Sequence, residues 1–135
     1  IVVDAGTAIT IDALDDDGRH LGGQILPGIA LMTESLGANT SDIPRVRKRF
    51  SSRGMGVFAR NTAAAVSQGV IGAAVGAVER ATREMREGGY DPTRVLTGGD
   101  APCLLKALVK EHVHSPNLVL EGLARILETR GEAFI

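Results

Sequence analysis

Ile1-Val2-Val3-Asp4-Ala5-Gly6-Thr7-Ala8-Ile9-Thr10-Ile11-Asp12-Ala13-Leu14 is the stretch on which the fold of this chain turns. An apolar, β-branched run, Ile1–Asp4, delivers a carboxylate into a Gly-Thr turn, and an alternating run, Ala8–Leu14, leaves it. Both runs read as strands, joined tightly through Gly6-Thr7. A carboxylate at the tip of a buried strand suits a site for a nucleotide and a metal ion. Gly6 beside it lets backbone approach, and Thr7 offers a hydroxyl that can bind phosphate oxygens. Asp15-Asp16-Asp17-Gly18 is a turn in which Gly18 is free to take positive φ, and its three carboxylates read as solvated turn residues. His20–Leu26 returns as a third strand, its Gly22-Gly23 pair marking a bulge or a close contact, and Pro27-Gly28 ends it. Three antiparallel strands in a meander open the domain.

Helices follow. Ile29–Leu36 carries Ile29, Met32 and Leu36 on one stripe, and a polar, breaker-rich stretch runs from Gly37 through Pro44. Arg45–Arg60 has no clear periodicity. Asn61-Thr62 is a helix N-cap signal before the long run Ala63–Glu87, which Gly88-Gly89 closes. Gly69, Gly72 and Gly76 lie near one face of that helix, a smooth surface expected to receive another helix, across a subunit interface. Beyond it, Arg94–Thr97 reads as a strand, Gly98-Gly99-Asp100 as a turn and Ala101–Lys110 as a helix that accepts Pro102 in its first turn. Leu118–Leu120 reads as the last strand and Gly122–Thr129 as the final helix. The expected class is α/β, a mixed sheet with three antiparallel strands followed by helix–strand alternation. That order is the one of the ribonuclease-H-like unit found twice in actin-like ATPases.

Composition narrows the possibilities. A chain of 135 residues is one domain, and one of this size buries roughly two thirds of its unfolded surface. With 44% hydrophobic residues, no Trp and 3% aromatics, its core must be built from Val, Ile, Leu and Ala. A net charge of −1 provides no whole-protein attraction to nucleic acid or anionic membrane. The single Cys103 rules out an internal disulfide framework and fits a reducing compartment. No apolar run approaches the roughly 20 residues that span a bilayer, and no signal peptide is visible, so a cytoplasmic location is expected. The chain starts without Met, in mid-strand, and reads as a piece of a larger protein.

Six segments in order carry a resemblance. They are Asp-x-Gly-Thr-Ala-x-Thr from Asp4, Gly-Gly-x-Ile-x-Pro-Gly at Gly22–Gly28, and Leu-Met-x-x-Ser-Leu at Leu31–Leu36. Asn61-Thr62-x-x-Ala-x-x-x-Gly, Thr97-Gly98-Gly99-Asp100-Ala101 and Asn117–Leu123 complete the set. Each alone is common; together they cover nearly the whole chain and resemble the C-terminal half of the type III pantothenate kinases. The resemblance implies residues 1–135 as the C-terminal ribonuclease-H-like half of a two-domain actin-like kinase, with ATP between the halves. It implies phosphorylation of pantothenate to 4′-phosphopantothenate, the first step towards coenzyme A, by a homodimer using ATP with Mg²⁺ and a monovalent cation, K⁺ or NH₄⁺. By position, Asp4 matches the cation ligand, Gly6 and Thr7 the second phosphate motif, Gly98 and Gly99 the adenosine loop, and Thr62 the pantothenate contact. The catalytic aspartate belongs to the other half, so no residue here is assigned as the base.

The chemistry agrees. Phosphoryl transfer needs positioning and charge neutralisation more than covalent help, and a carboxylate is a hard oxygen ligand for K⁺ or Mg²⁺. Two alternatives stand beside this reading: a non-catalytic transcriptional accessory factor of the same family, and another actin-like small-molecule kinase. The basic run Arg45, Arg47, Lys48, Arg49 and Arg53 could bind nucleic acid, but only Phe50 and Phe58 interleave it, and a solvated or ligand-holding loop is the reading preferred.

Overall fold

A computed structural model describes residues 1–41, 43, 57–109 and 112–131. The basic run from Arg45 to Arg53 lies outside them. Five strands form one sheet. β1 (Val2–Ala5) pairs antiparallel with β2 (Ala8–Leu14), and β2 with β3 (His20–Pro27). On its other side β1 pairs in parallel with β4 (Val95–Thr97), and β4 in parallel with β5 (Val113–His114). The order is β3-β2-β1-β4-β5, so the strand that carries Asp4 is central. The Ile1 nitrogen donates to Thr93 O at 2.8 Å and Val95 N to Ile1 O at 2.8 Å, which continues the parallel ladder beyond β1.

Strand alternation sorts the sheet into two faces. Val3, Ala5, Ile9, Ile11 and Leu96 point to the core. Against that cluster pack α1 (Ile29–Asn39), α2 (Thr62–Glu87) and α3 (Ala101–Leu105), through Ile29, Val66, Val70, Ala74, Val78 and Leu104. Asn61 caps α2 as its residue type predicts, its side-chain oxygen accepting from Ala64 N at 2.9 Å. Tyr90 N bonds back to Met85 O at 3.0 Å over Gly89, whose φ of 90° ends the helix. At 26 residues α2 is long and apolar enough to cross a membrane by length and composition, contrary to the expectation from the sequence. Its buried residues recur as one stripe, Val66, Val70, Ile71, Ala74, Val78 and Thr82, that faces the sheet, as a core helix requires. Gly69, Gly72 and Gly76 lie off that stripe, and a Cβ at any of them would meet nothing among the described residues.

The turn over Asp15–Gly18 is a solvated one. Asp15 Oδ1 accepts from Asp17 N and Arg19 N, and Gly18 takes φ 77°. The β2–β3 pairing slips at Ala13/Leu14, so the Gly22-Gly23 pair does sit at an irregularity. A Cβ on Gly23 would also run into the Asp12 carboxylate, which pairs with His20 Nε2 at 2.9 Å.

Two readings of the C-terminal region need correction. Leu118–Leu120 is not a strand; it opens α4 (Leu118–Gly131), and the last strand is β5, upstream of Ser115-Pro116. Pro116 cannot donate to a ladder, whereas Glu121 N reaches Asn117 O at 2.9 Å and starts the helix. The Leu-Val-Leu run is part of a helical stripe, Val119, Leu120, Leu123, Ile126 and Leu127, in which each side chain is at least half exposed. The helix expected over Ala101–Lys110 is also shorter, closing at Leu105 and continuing in turns.

Arg94 enters β4 fully buried, with Nη1 donating to Glu79 Oε1 on α2 at 2.7 Å and Nη2 without a partner. Removing one member of a buried pair leaves an uncompensated charge. Glu79→Ala is therefore expected to destabilise the protein by about 3 kcal/mol, read as a lowered urea midpoint, whereas the exposed Glu84→Ala should change it little.

Candidate functional site

Asp4 occupies the C-terminal half of the central strand, and the turn beyond it is held from two sides. On one side the chain leaves β3 through Gly28, whose N–H donates to Thr7 O at 2.9 Å. A Cβ at Gly28 would overlap the carbonyl oxygens of Gly6 and Thr7. On the other side the β4–α3 turn passes at Gly98, with φ 90°, where a Cβ would fall on Ala5 O and the Asp4 carboxylate. Asp100 N then donates to Ala5 O at 2.9 Å. Two glycines thus let two further main-chain segments converge on one hairpin.

The convergence brings together Asp4, Gly6, Thr7 and Gly98. Gly6 uses its amide inside the turn, donating to Ala8 O at 2.9 Å, so its contribution is room rather than a donor. Thr7 is exposed at the tip. Gly98 is explained by packing against Asp4 and Ala5. Gly99 is not, since a Cβ there meets nothing among the described residues. Its lack of a side chain leaves exposed backbone next to Gly98. Thr62 is the first residue of α2 and exposed, on an element of its own. The C-terminal turns of α2, Ala81 to Gly88, sit by Ile1, so the helix runs antiparallel to β1 and its N-terminus points towards the hairpin end of the sheet.

Three site neighbours stand in the quoted motifs but were given no role of their own in the sequence. Gly28 was read as a strand end and as the close of the Gly22–Gly28 motif, and its close approach follows from a pairing that no local signal reveals. Thr10 and Thr97 are the register partners of Asp4 on β2 and β4. Counting the alternation outward from the turn could have found Thr10, but Thr97 depends on a parallel pairing across more than 90 residues.

A cavity of about 320 Å³ lies at the opposite end of β1, lined by Ile1, Ile11, Leu21, Met85 and Tyr90 among others. Its walls are mainly apolar and carry no cationic side chain. The polar hairpin end is the candidate site. There the donor set fits a cation: a carboxylate held against Gly98 with no cationic side chain paired to it among the described residues.

Comparison with known proteins identifies the family. The sequence model of the family described as type III pantothenate kinase matches residues 1–84. The type III pantothenate kinase of Nitrosococcus oceani is 40% identical over 126 residues, 93% of this chain and 46% of that protein. Those of Alcanivorax borkumensis and Azoarcus sp. are 39% and 45% identical over 93% of the chain, which covers 50% and 46% of them. The chain therefore spans about half the length of these curated relatives. Among solved structures, a protein assigned to the Baf family of transcriptional activators from Campylobacter jejuni superposes with a TM-score of 0.72 at 27% identity. That match covers 97% of this chain and 58% of that one. A family match over residues 1–84, on a sheet whose central strand delivers Asp4 into the Gly6-Thr7 turn, places the chain in the type III pantothenate kinase family.

Proposed function

We propose that this chain is the C-terminal half of a two-domain actin-like kinase that transfers the γ-phosphoryl group of ATP to pantothenate. The strand order β3-β2-β1-β4-β5, antiparallel through β1 and parallel beyond it, supports a ribonuclease-H-like unit. The observation that carries the functional reading is the hairpin itself. Asp4 and Thr7 stand at the end of the central strand, in a turn that Gly28 and Gly98 hold by main-chain contact.

In this reading Thr7 donates to phosphate oxygens, and the Gly99 backbone lies against the nucleotide. A hydroxyl is a suitable donor for phosphate, and pre-set donors lower the barrier by avoiding reorganisation. Asp4 ligates a monovalent cation, which when bound supplies positive charge beside the phosphates. Thr62 contacts pantothenate while Asn61 caps the helix, two roles that do not compete because the cap uses the Asn61 side chain. The pantothenate hydroxyl attacks the γ-phosphorus, ADP leaves, and the hydroxyl proton passes to a carboxylate supplied by the other half of the protein. Mg²⁺ accompanies ATP. The enzyme works in the cytoplasm as a homodimer, and nucleic acid is not a partner.

A coupled kinase assay on the full natural protein tests this. Turnover on pantothenate should depend on K⁺, and Asp4→Asn should lower it by roughly two orders of magnitude, the scale of one lost electrostatic group. ATP binding without turnover on pantothenate would turn the reading towards the regulatory function named for the Campylobacter jejuni structure. The two loop glycines should separate. Gly98→Ala places a Cβ on Ala5 O and Asp4 and is expected to lower the melting temperature. Gly99→Ala should fold normally and raise the KM for ATP. The open glycine face of α2 is assigned to the dimer contact, so Gly72→Leu should yield monomer by light scattering.

A further inference from the structure

We propose that Thr10 and Thr97 complete, with Asp4, a three-oxygen site for a monovalent cation; this rests on the cation reading of Asp4 given above. The register carries the argument. Asp4 is opposite Thr10 on β2 and alongside Thr97 on β4, so the three side chains emerge on the same face of the sheet, the one away from the core. Neighbouring strands lie about 4.8 Å apart, which sets Asp4 between the two threonines.

The hydroxyls are unusual in being unused. The buried threonines of the helices satisfy themselves: Thr33 Oγ1 donates to Ile29 O and Thr82 Oγ1 to Val78 O, both at 2.8 Å. Thr97 is as buried, at 3% exposure, yet neither it, Thr10 nor the Asp4 carboxylate has a side-chain hydrogen-bond partner among the described residues. The Thr97 hydroxyl is not a sealed orphan either. Among the described residues the fully enclosed unpartnered side-chain atom is Arg94 Nη2, so Thr97 Oγ1 keeps access to the outer face. Gly98 fixes the third member, because its bare Cα is what lets the Asp4 carboxylate lie where it does.

The charge of the set selects the ligand. One carboxylate and two neutral oxygens balance a single positive charge. Among the described residues no three acidic, His or Cys side chains gather as a transition-metal site would need. If the threonines served only as β-branched strand residues, valine would replace them without consequence.

The test measures cation binding directly on the full natural protein, with thallous ion as the probe followed by its NMR line and K⁺ as competitor. Thr97→Val and Thr10→Val should each weaken binding on the order of tenfold, a typical cost of altering one metal-site partner, while Thr97→Ser and Thr10→Ser retain it. Valine variants that bind like the natural protein, alongside an Asp4→Asn that does not, would overturn the proposal and leave the cation role of Asp4 standing. Unchanged binding in Asp4→Asn would remove both. Serine variants as weak as the valine ones would assign the threonines to packing, which also overturns it. Thr10 is only half-buried, so the Thr10 pair decides the matter should Thr97→Val fail to fold.

Discussion

Main-chain atoms of Gly28 and Gly98 approach the β1–β2 turn so closely that neither position has room for a Cβ. This double contact ties the meander, the entry to α1 and the entry to α3 to a single point at the end of the central strand. Interiors are packed densely enough that such a junction has little freedom to shift. The Asp4 carboxylate inherits that rigidity, because the chain on either side of it and across from it is held by backbone hydrogen bonds. In the role proposed for Asp4, a group that organises charge gains from being fixed before a ligand arrives.

Much of this was legible in the sequence because it is local. The alternation of Ala8–Leu14, the Asp-Gly turn at 17–18 and the Asn61 cap each follow from neighbours within a few residues, and the structure places them as read. The motif order carried the family, since six short segments in sequence exclude coincidence better than any one of them. What failed was the choice between helix and strand for the short apolar run Leu118–Leu120, where three residues cannot distinguish the two periods. The pairing of β1 with β4 was likewise invisible as register, and with it the placement of Thr97 beside Asp4 and of Arg94 under α2. Those contacts join residues 80 or more positions apart, or lie on faces that only the folded sheet defines. The assignments of Asp4, Gly6, Thr7, Thr62, Gly98 and Gly99 came from the family resemblance. The structure adds that four of them converge, and that Gly98 and Gly99 are glycines for different reasons.

The two ends of β1 divide the labour of the domain. At the Ile1 end the walls are apolar and the C-terminal turns of α2 close over the sheet. At the Asp4 end the side chains are oxygen-bearing and the backbone is crowded. Helix α2, running antiparallel to β1, spans both, and its buried stripe is continuous from Val66 to Thr82. Oxygen-bearing side chains are thereby gathered at one edge of a core that is otherwise aliphatic.

Helix α4 stands apart from that core, its side chains exposed from Val119 to Thr129. A helix of 14 residues with little tertiary support among the described residues is close to the point where helix and coil have equal free energy. Its order is therefore conditional on what buries the stripe of Val119, Leu120, Leu123, Ile126 and Leu127. Melting α4 would leave the sheet untouched, so amide exchange along it follows the occupancy of that stripe rather than the global stability of the domain.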